Sequence, residues 1–112
     1  MLGLRGHAEL THYQERLALF FNREQLPLVT AILTETALSS RLTVPALQAL
    51  QQEYAVKSVD ADEELREILR VLQHDGYLRW SKDGYEYESN LLKDWWKKAH
   101  AEFYVPIIER RK

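Results

Sequence analysis

The stretch Asp60–Asn90, DADEELREILRVLQHDGYLRWSKDGYEYESN, changes its periodicity halfway along and decides the fold. Up to His74 the apolar residues Ala61, Leu65, Ile68, Leu69 and Leu72 fall at the i, i+3, i+4, i+7 spacing that lines one helix face. Asp60 is a good N-cap, and Glu63, three residues on, can reach back to it in a variant of the capping box. Gly76 supplies the left-handed residue that stops the helix. From Tyr77 the period is two. Leu78 and Trp80 fall on one side, Arg79 and Ser81 on the other, and Tyr85 and Tyr87 alternate with Glu86 and Glu88. The pair Asp83-Gly84 tolerates the positive φ angles of a tight hairpin turn. Helix, glycine stop and short hairpin follow one another as a winged-helix domain ends its recognition helix and begins its wing.

Working upstream, three more helices are expected. Thr11 and Gln14 form a capping box for a helix through Phe20, with Tyr13, Leu17, Phe20 and Phe21 as its apolar stripe and a break at Asn22. A second helix, about Pro27 to Leu38, places Val29, Ile32, Leu33, Thr36 and Ala37 on one face and tolerates Pro27 in its first turn. Ser39-Ser40-Arg41 connects it to a third, capped by Thr43, with Pro45 in the first turn and Leu47, Leu50 and Tyr54 on the buried side. The turn from Ala55 to Val59 then leads into the Asp60 helix, so two helices and a hairpin make a winged helix-turn-helix. Downstream, Leu91, Leu92, Trp95, Trp96, Ala99 and Phe103 form another stripe, opposite Lys93, Asp94, Lys97 and Tyr104. Pro106 ends or kinks that helix, and Val105, Ile107 and Ile108 either fold back on the domain or await a partner. The expected class is mainly α: four to five helices plus a small β-hairpin wing. One domain spans 1–112, with an N-terminal helix over 1–22, the winged core over 23–90, and a C-terminal helix and tail over 91–112.

A chain of 112 residues is one domain by length and buries roughly two-thirds of the surface its unfolded form exposes. Its formal net charge of −2 gives no overall bias toward nucleic acid or acidic membranes. The distribution is less even. Residues 60–75 carry two basic and six acidic side chains, whereas residues 91–112 carry six basic and three acidic. The recognition helix is thus the most acidic segment and the end of the chain the most basic. The lack of cysteine excludes disulfides, thiol nucleophiles and cysteine zinc sites. Neither an apolar run of about eighteen residues nor a signal peptide follows Met1, which points to a soluble cytoplasmic protein without membrane contact.

Motifs that carry chemistry are few. His7 and His12 are five apart and His74 and His100 stand alone, away from the i, i+4 spacing of helical zinc pairs. Asp60, Asp62 and Glu64 alternate like the start of a calcium loop, but the glycine at the sixth position and the glutamate at the twelfth are missing. Gly3-Leu4-Arg5-Gly6 is no phosphate-binding loop, and no serine sits in a nucleophile elbow. The expectation is a chain that is not an enzyme and holds no metal or cofactor.

A winged helix invites a nucleic-acid reading. The outward face of the Asp60 helix is Glu63, Arg66, Glu67, Arg70 and His74, and the wing adds Arg79 and Lys82. Arg66 and Arg70 can reach phosphates or guanine edges, yet Asp62, Glu63 and Glu67 meet the same groove. Phosphate contact supplies most of a DNA binder's affinity, so repulsion is expected to win. Nucleic-acid or partner contacts are weighed at Arg66, Arg70, His74, Arg79, Lys82, Lys93, Trp96 and Lys97. Trp95 lies mid-stripe and is expected to be buried, while Trp96 lies at the rim and is the better candidate for outside contact.

With these elements placed, the chain resembles the C-terminal winged-helix region of prokaryotic P-loop ATPases of the AAA+ and STAND type. The likeness rests on His12-Tyr13-Gln14-Glu15-Arg16-Leu17, on Ile68-Leu69-Arg70-Val71-Leu72-Gln73-His74-Asp75-Gly76-Tyr77-Leu78, and on Glu88-Ser89-Asn90-Leu91-Leu92-Lys93-Asp94-Trp95-Trp96. In that family the ATP site lies in a preceding domain, and the winged helix contacts a partner or nucleic acid. No nucleotide motif and no catalytic residue carries over to these positions. The resemblance implies a non-catalytic regulatory or partner-binding module, with an ATPase domain upstream of Met1 as its first partner and a further protein partner. The alternative is a small DNA-binding winged-helix transcriptional regulator.

Overall fold

The computed structural model describes residues 12, 13, 15–54, 61–100 and 104. Thr11, Gln14, Asp60, the Ala55–Val59 turn, Phe103 and Val105–Ile108, which carry several of the expectations above, lie outside the described residues. Five helices and three short strands are present among the described residues: α1 over 12–20, α2 Leu26–Ser39, β1 Leu42–Thr43, α3 Val44–Glu53, α4 Ala61–His74, β2 Leu78–Ser81, β3 Gly84–Tyr87 and α5 Asn90–His100. The class is mainly α, with one antiparallel sheet of order β1-β3-β2.

Helix α2 is the centre of the fold. The break at Asn22 is made by a reciprocal pair of hydrogen bonds, in which the Gln25 amide donates to Asn22 Oδ1 and the Asn22 amide to Gln25 Oε1, each at 2.9 Å. Pro27 then sits in the first turn, where its missing N–H costs nothing. The sequence suggested one buried face. Instead Leu28, Val29 and every residue from Ala31 to Ala37 are buried, as befits a helix covered on several sides. Its buried threonines are satisfied locally: Thr34 Oγ1 donates to Thr30 O at 2.8 Å and Thr36 Oγ1 to Ile32 O at 2.6 Å.

Ser40 ends α2 in the left-handed region at φ 70°, turning the chain into β1. Thr43 is the N-cap of α3, accepting from the Ala46 amide, with Leu47 and Leu50 buried below it. Strand β1 is absent from the sequence reading. Two residues carry no period, and the strand exists only through Leu42 opposite Tyr85 and Thr43 opposite Gly84. A Cβ on Gly84 would lie 2.5 Å from Leu42 O, so close strand approach is what demands glycine here.

Helix α4 stops as its sequence requires. Gly76 adopts φ +85°, the Tyr77 amide donates to Leu72 O at 2.9 Å and the Gly76 amide to Gln73 O at 3.3 Å, which is a Schellman motif. Tyr77 and Leu72 are fully buried, supplying its apolar contact. The hairpin pairs Leu78 with Tyr87 and Ser81 with Gly84, so its two turn residues are Lys82 and Asp83. The positive φ falls on Lys82, at 51°, and not on the Asp83-Gly84 pair expected to carry it.

The two outer helices close the core. Leu17 and Phe21 of the α1 segment are buried, whereas Phe20, expected in the stripe, is 45% exposed. Arg16 forms an ion pair with Asp75, Tyr13 packs edge-on against Tyr77 at 5.1 Å, and the Tyr77 hydroxyl donates to Tyr13 O. Helix α5 is capped by Ser89, whose Oγ accepts from the Leu92 amide at 3.2 Å. It buries Leu92 and Trp96 against α2 and β3. Tyr104, placed on the polar side of this helix by its spacing, instead donates its hydroxyl to Glu35 Oε1 of α2 at 2.8 Å.

Candidate functional site

The exposed face of α4 is the first surface to weigh. Glu63, Arg66, Glu67, Arg70 and His74 all lie at the surface, as their spacing required. The arginines and glutamates among them pair with one another. Arg66 Nη1 lies 3.8 Å from Glu63 Oε1, and Arg70 grips Glu67 with two hydrogen bonds, one of them from Nε at 3.3 Å. The Arg70 hydrogen bond holds the Glu67 carboxyl below its usual pKa, and the same bond raises that of Arg70. The acids in the first turns serve as struts as well: Gln25 donates to Glu64 at 2.6 Å and Gln51 to Asp62 at 2.9 Å.

The hairpin follows the same rule. Arg79 Nε donates to Glu86 Oε2 at 3.1 Å, and Arg79 Nη1 lies 3.9 Å from Glu88. Arg41 completes the cluster, with Nη1 3.5 Å from Asp83 and Nη2 3.7 Å from Glu86. The Arg79 hydrogen bond dominates in holding the Glu86 carboxyl below its usual range. By sequence Arg41 belongs only to the connector between two helices. Its role follows from β1, which the sequence does not announce.

Of the remaining nominated residues, Lys82 occupies the hairpin tip, and Lys93 and Lys97 lie on α5. No ion pair engages them among the described residues. Trp96 corrects the sequence reading: it is 1% exposed, and its Nε1 donates to Thr34 Oγ1 at 2.9 Å. Trp95 is the partly buried one of the two. The wheel for α5 carries two adjacent stripes, Leu91 with Trp95 and Leu92 with Trp96, and the fold buries the second. Trp96 therefore leaves the set of contact residues.

Two further surfaces lay beyond the sequence reading. Trp80 is 50% exposed, although it shares a strand face with buried Leu78, and it packs edge-on against Tyr85 at 5.0 Å. An open groove of about 490 Å³ lies along α2, lined by residues that include Leu26, Pro27, Thr30, Tyr54, His100 and Tyr104. Among the described residues, no group of three or more His, Asp or Glu side chains is placed to hold a metal ion. No helix among them is long and apolar enough to cross a membrane. Compared with protein-family models, curated proteins and solved structures, the chain gives no match.

Proposed function

We propose that this chain is a non-catalytic winged-helix module that works through protein contacts, as the C-terminal regulatory or partner-binding part of a larger cytoplasmic P-loop ATPase. The element order supports the winged-helix reading: helix α2, strand β1, helices α3 and α4, then a hairpin whose second strand β3 pairs with both β1 and β2. In that reading α4 is the recognition helix and Lys82-Asp83 the wing tip.

The observation that carries the functional reading is the self-neutralised α4 face. A groove-reading arginine must exchange water for phosphate or guanine, and its affinity comes from releasing counterions held by the nucleic acid. Arg66 and Arg70 each carry a carboxylate that would enter the groove with them. A protein partner can use such a face directly, meeting paired arginines and glutamates with its own complementary charges. No ATP chemistry belongs to these residues in this reading, because the resemblance places the nucleotide site in the preceding domain.

The test is to read the gene upstream of Met1 and express the whole open frame. The reading requires a P-loop domain there that co-purifies with this module and changes its ATP turnover when the α4 face is reversed by E63K and E67K. A frame that truly begins at Met1, with no such domain before it, overturns it. The second reading, a small DNA-binding regulator, draws on Lys82 at the hairpin tip and on the lysines of α5. Saturable duplex binding at moderate salt would put it first.

A further inference from the structure

We propose that the groove along α2 is a binding site for a small aromatic carboxylate, a flat apolar ring system carrying one acid group. This inference does not rest on the ATPase reading. At about 490 Å³ the groove falls within the roughly 300–1,000 Å³ of small-molecule sites. It lies where the first half of α2 meets the ends of α3 and α5, with Pro27, Thr30, Ala31 and Thr34 recurring at helical spacing along its wall. Leu26 extends that wall, and Tyr54, His100 and Tyr104 add three rings. Two of the rings are held by other contacts: His100 stacks on Trp96 with centroids 4.3 Å apart, and the Tyr104 hydroxyl donates to Glu35 Oε1 at 2.8 Å. Rings already fixed in this way receive a flat apolar group at little cost in ordering them.

The charged groups select the ligand's sign. Burial lowers the His100 pKa from the ordinary 6.5, so its imidazole is neutral above pH 7, and Arg23 is then the one charged side chain among the residues that line the groove. No acidic side chain stands in the lining to repel an anion. Arg23 also differs from the other arginines described. Arg16, Arg41, Arg66, Arg70 and Arg79 each meet a carboxylate, whereas Arg23 is exposed and has no ion pair among the described residues. A guanidinium at the edge of an apolar wall takes a carboxylate in a bidentate pair, and its stem continues the apolar surface. A ring against the wall with its acid group on Arg23 satisfies both parts of the site, while a neutral ligand uses the wall alone. The groove is open to water along its length, so the dissociation constant is expected on the order of 100 µM.

NMR titration of the isotope-labelled 112-residue chain, at about pH 7.5, with indole-3-acetate, 1-naphthylacetate and 4-phenylbutyrate and with the neutral amide of each, tests this. At least one acid should give saturable shifts centred on the backbone amides of Leu26, Thr30, Ala31, Thr34 and His100, and its amide should bind at least about fivefold more weakly. Arg23→Gln, a change at an exposed position, should bring the acid down to the level of its amide and leave the amide's affinity unchanged. Thr30→Phe, which fills the groove, should remove both. Far-UV circular dichroism checks that each variant keeps the wild-type helix content. Three acids that give no saturable shift below about 5 mM overturn the proposal. So do shifts centred on the lysines of α5, an amide that binds as tightly as its acid, or an Arg23→Gln variant that keeps the preference for the acid.

Discussion

Replacing Trp96 by alanine should cost this fold about 3–5 kcal/mol, while the same change at Trp95 should cost about 1–2 kcal/mol. Trp96 projects from α5 against α2 and is 1% exposed, so its whole indole volume becomes a cavity when it is removed. The lost hydrogen bond from Nε1 to Thr34 Oγ1 is worth about 1 kcal/mol of that total. It is not more, because Thr34 Oγ1 still donates to Thr30 O and its hydroxyl is not orphaned. Trp95 keeps part of its surface in water, so its removal forfeits less apolar burial and leaves no enclosed void. Domains of this size hold only about 5–15 kcal/mol in total, so Trp96→Ala should move the urea midpoint far and can unfold the chain outright. Far-UV circular dichroism is the right probe, because neither variant then loses its signal along with its tryptophan. Trp96→Phe serves as the milder check and should cost about 1–2 kcal/mol. Equal costs at the two positions, or a larger one at Trp95, would refute the packing of α5 described above.

Gly84→Ala should destabilise by about 1–3 kcal/mol in the same urea assay, since its Cβ meets the backbone at Leu42 O and strand β1 must yield. Lys82→Gly and Ser40→Gly should each raise stability by about 0.5–1 kcal/mol, because each native residue holds a left-handed conformation that glycine adopts without steric cost. Thermal melts of the two single variants check this. His100 stacks on Trp96 at 4.3 Å, and burial lowers its pKa from the ordinary 6.5, so the folded state binds its proton less readily than the unfolded chain. Its stabilising contribution is complete above pH 6.5 and is lost as pH falls through the lowered folded pKa. His100→Phe should therefore show a smaller fall in urea midpoint between pH 7.5 and 5.5 than the wild type.

Elements set by neighbours in sequence were legible in it. Gly76 as the helix stop, Thr43 as the cap of α3, and the prolines in two first turns each depend on a few adjacent residues. The outward face of α4 also followed from its period, because a strongly amphipathic helix has one reasonable orientation. What the sequence hid depends on distant partners. Strand β1 is two residues long and made by pairing across more than forty positions, which also conceals the ion pairs of Arg41. Two adjacent apolar stripes on α5 leave a helical wheel no basis for preferring Trp95 or Trp96, and contact with α2 makes the choice. The hairpin register moved the turn back by one residue, from Asp83-Gly84 to Lys82-Asp83, because Gly84 is needed beside β1.

The role proposed for α4 is to meet a protein partner and not to read a nucleic-acid groove. Titrating the isotope-labelled chain with duplex DNA at low salt, and following each backbone amide by NMR, tests it most directly. The amides of Glu63 to His74 and of Leu78 to Tyr87 should keep their positions through the titration. Saturable shifts centred on Arg66, Arg70 and Lys82, reversed by added salt, would contradict it.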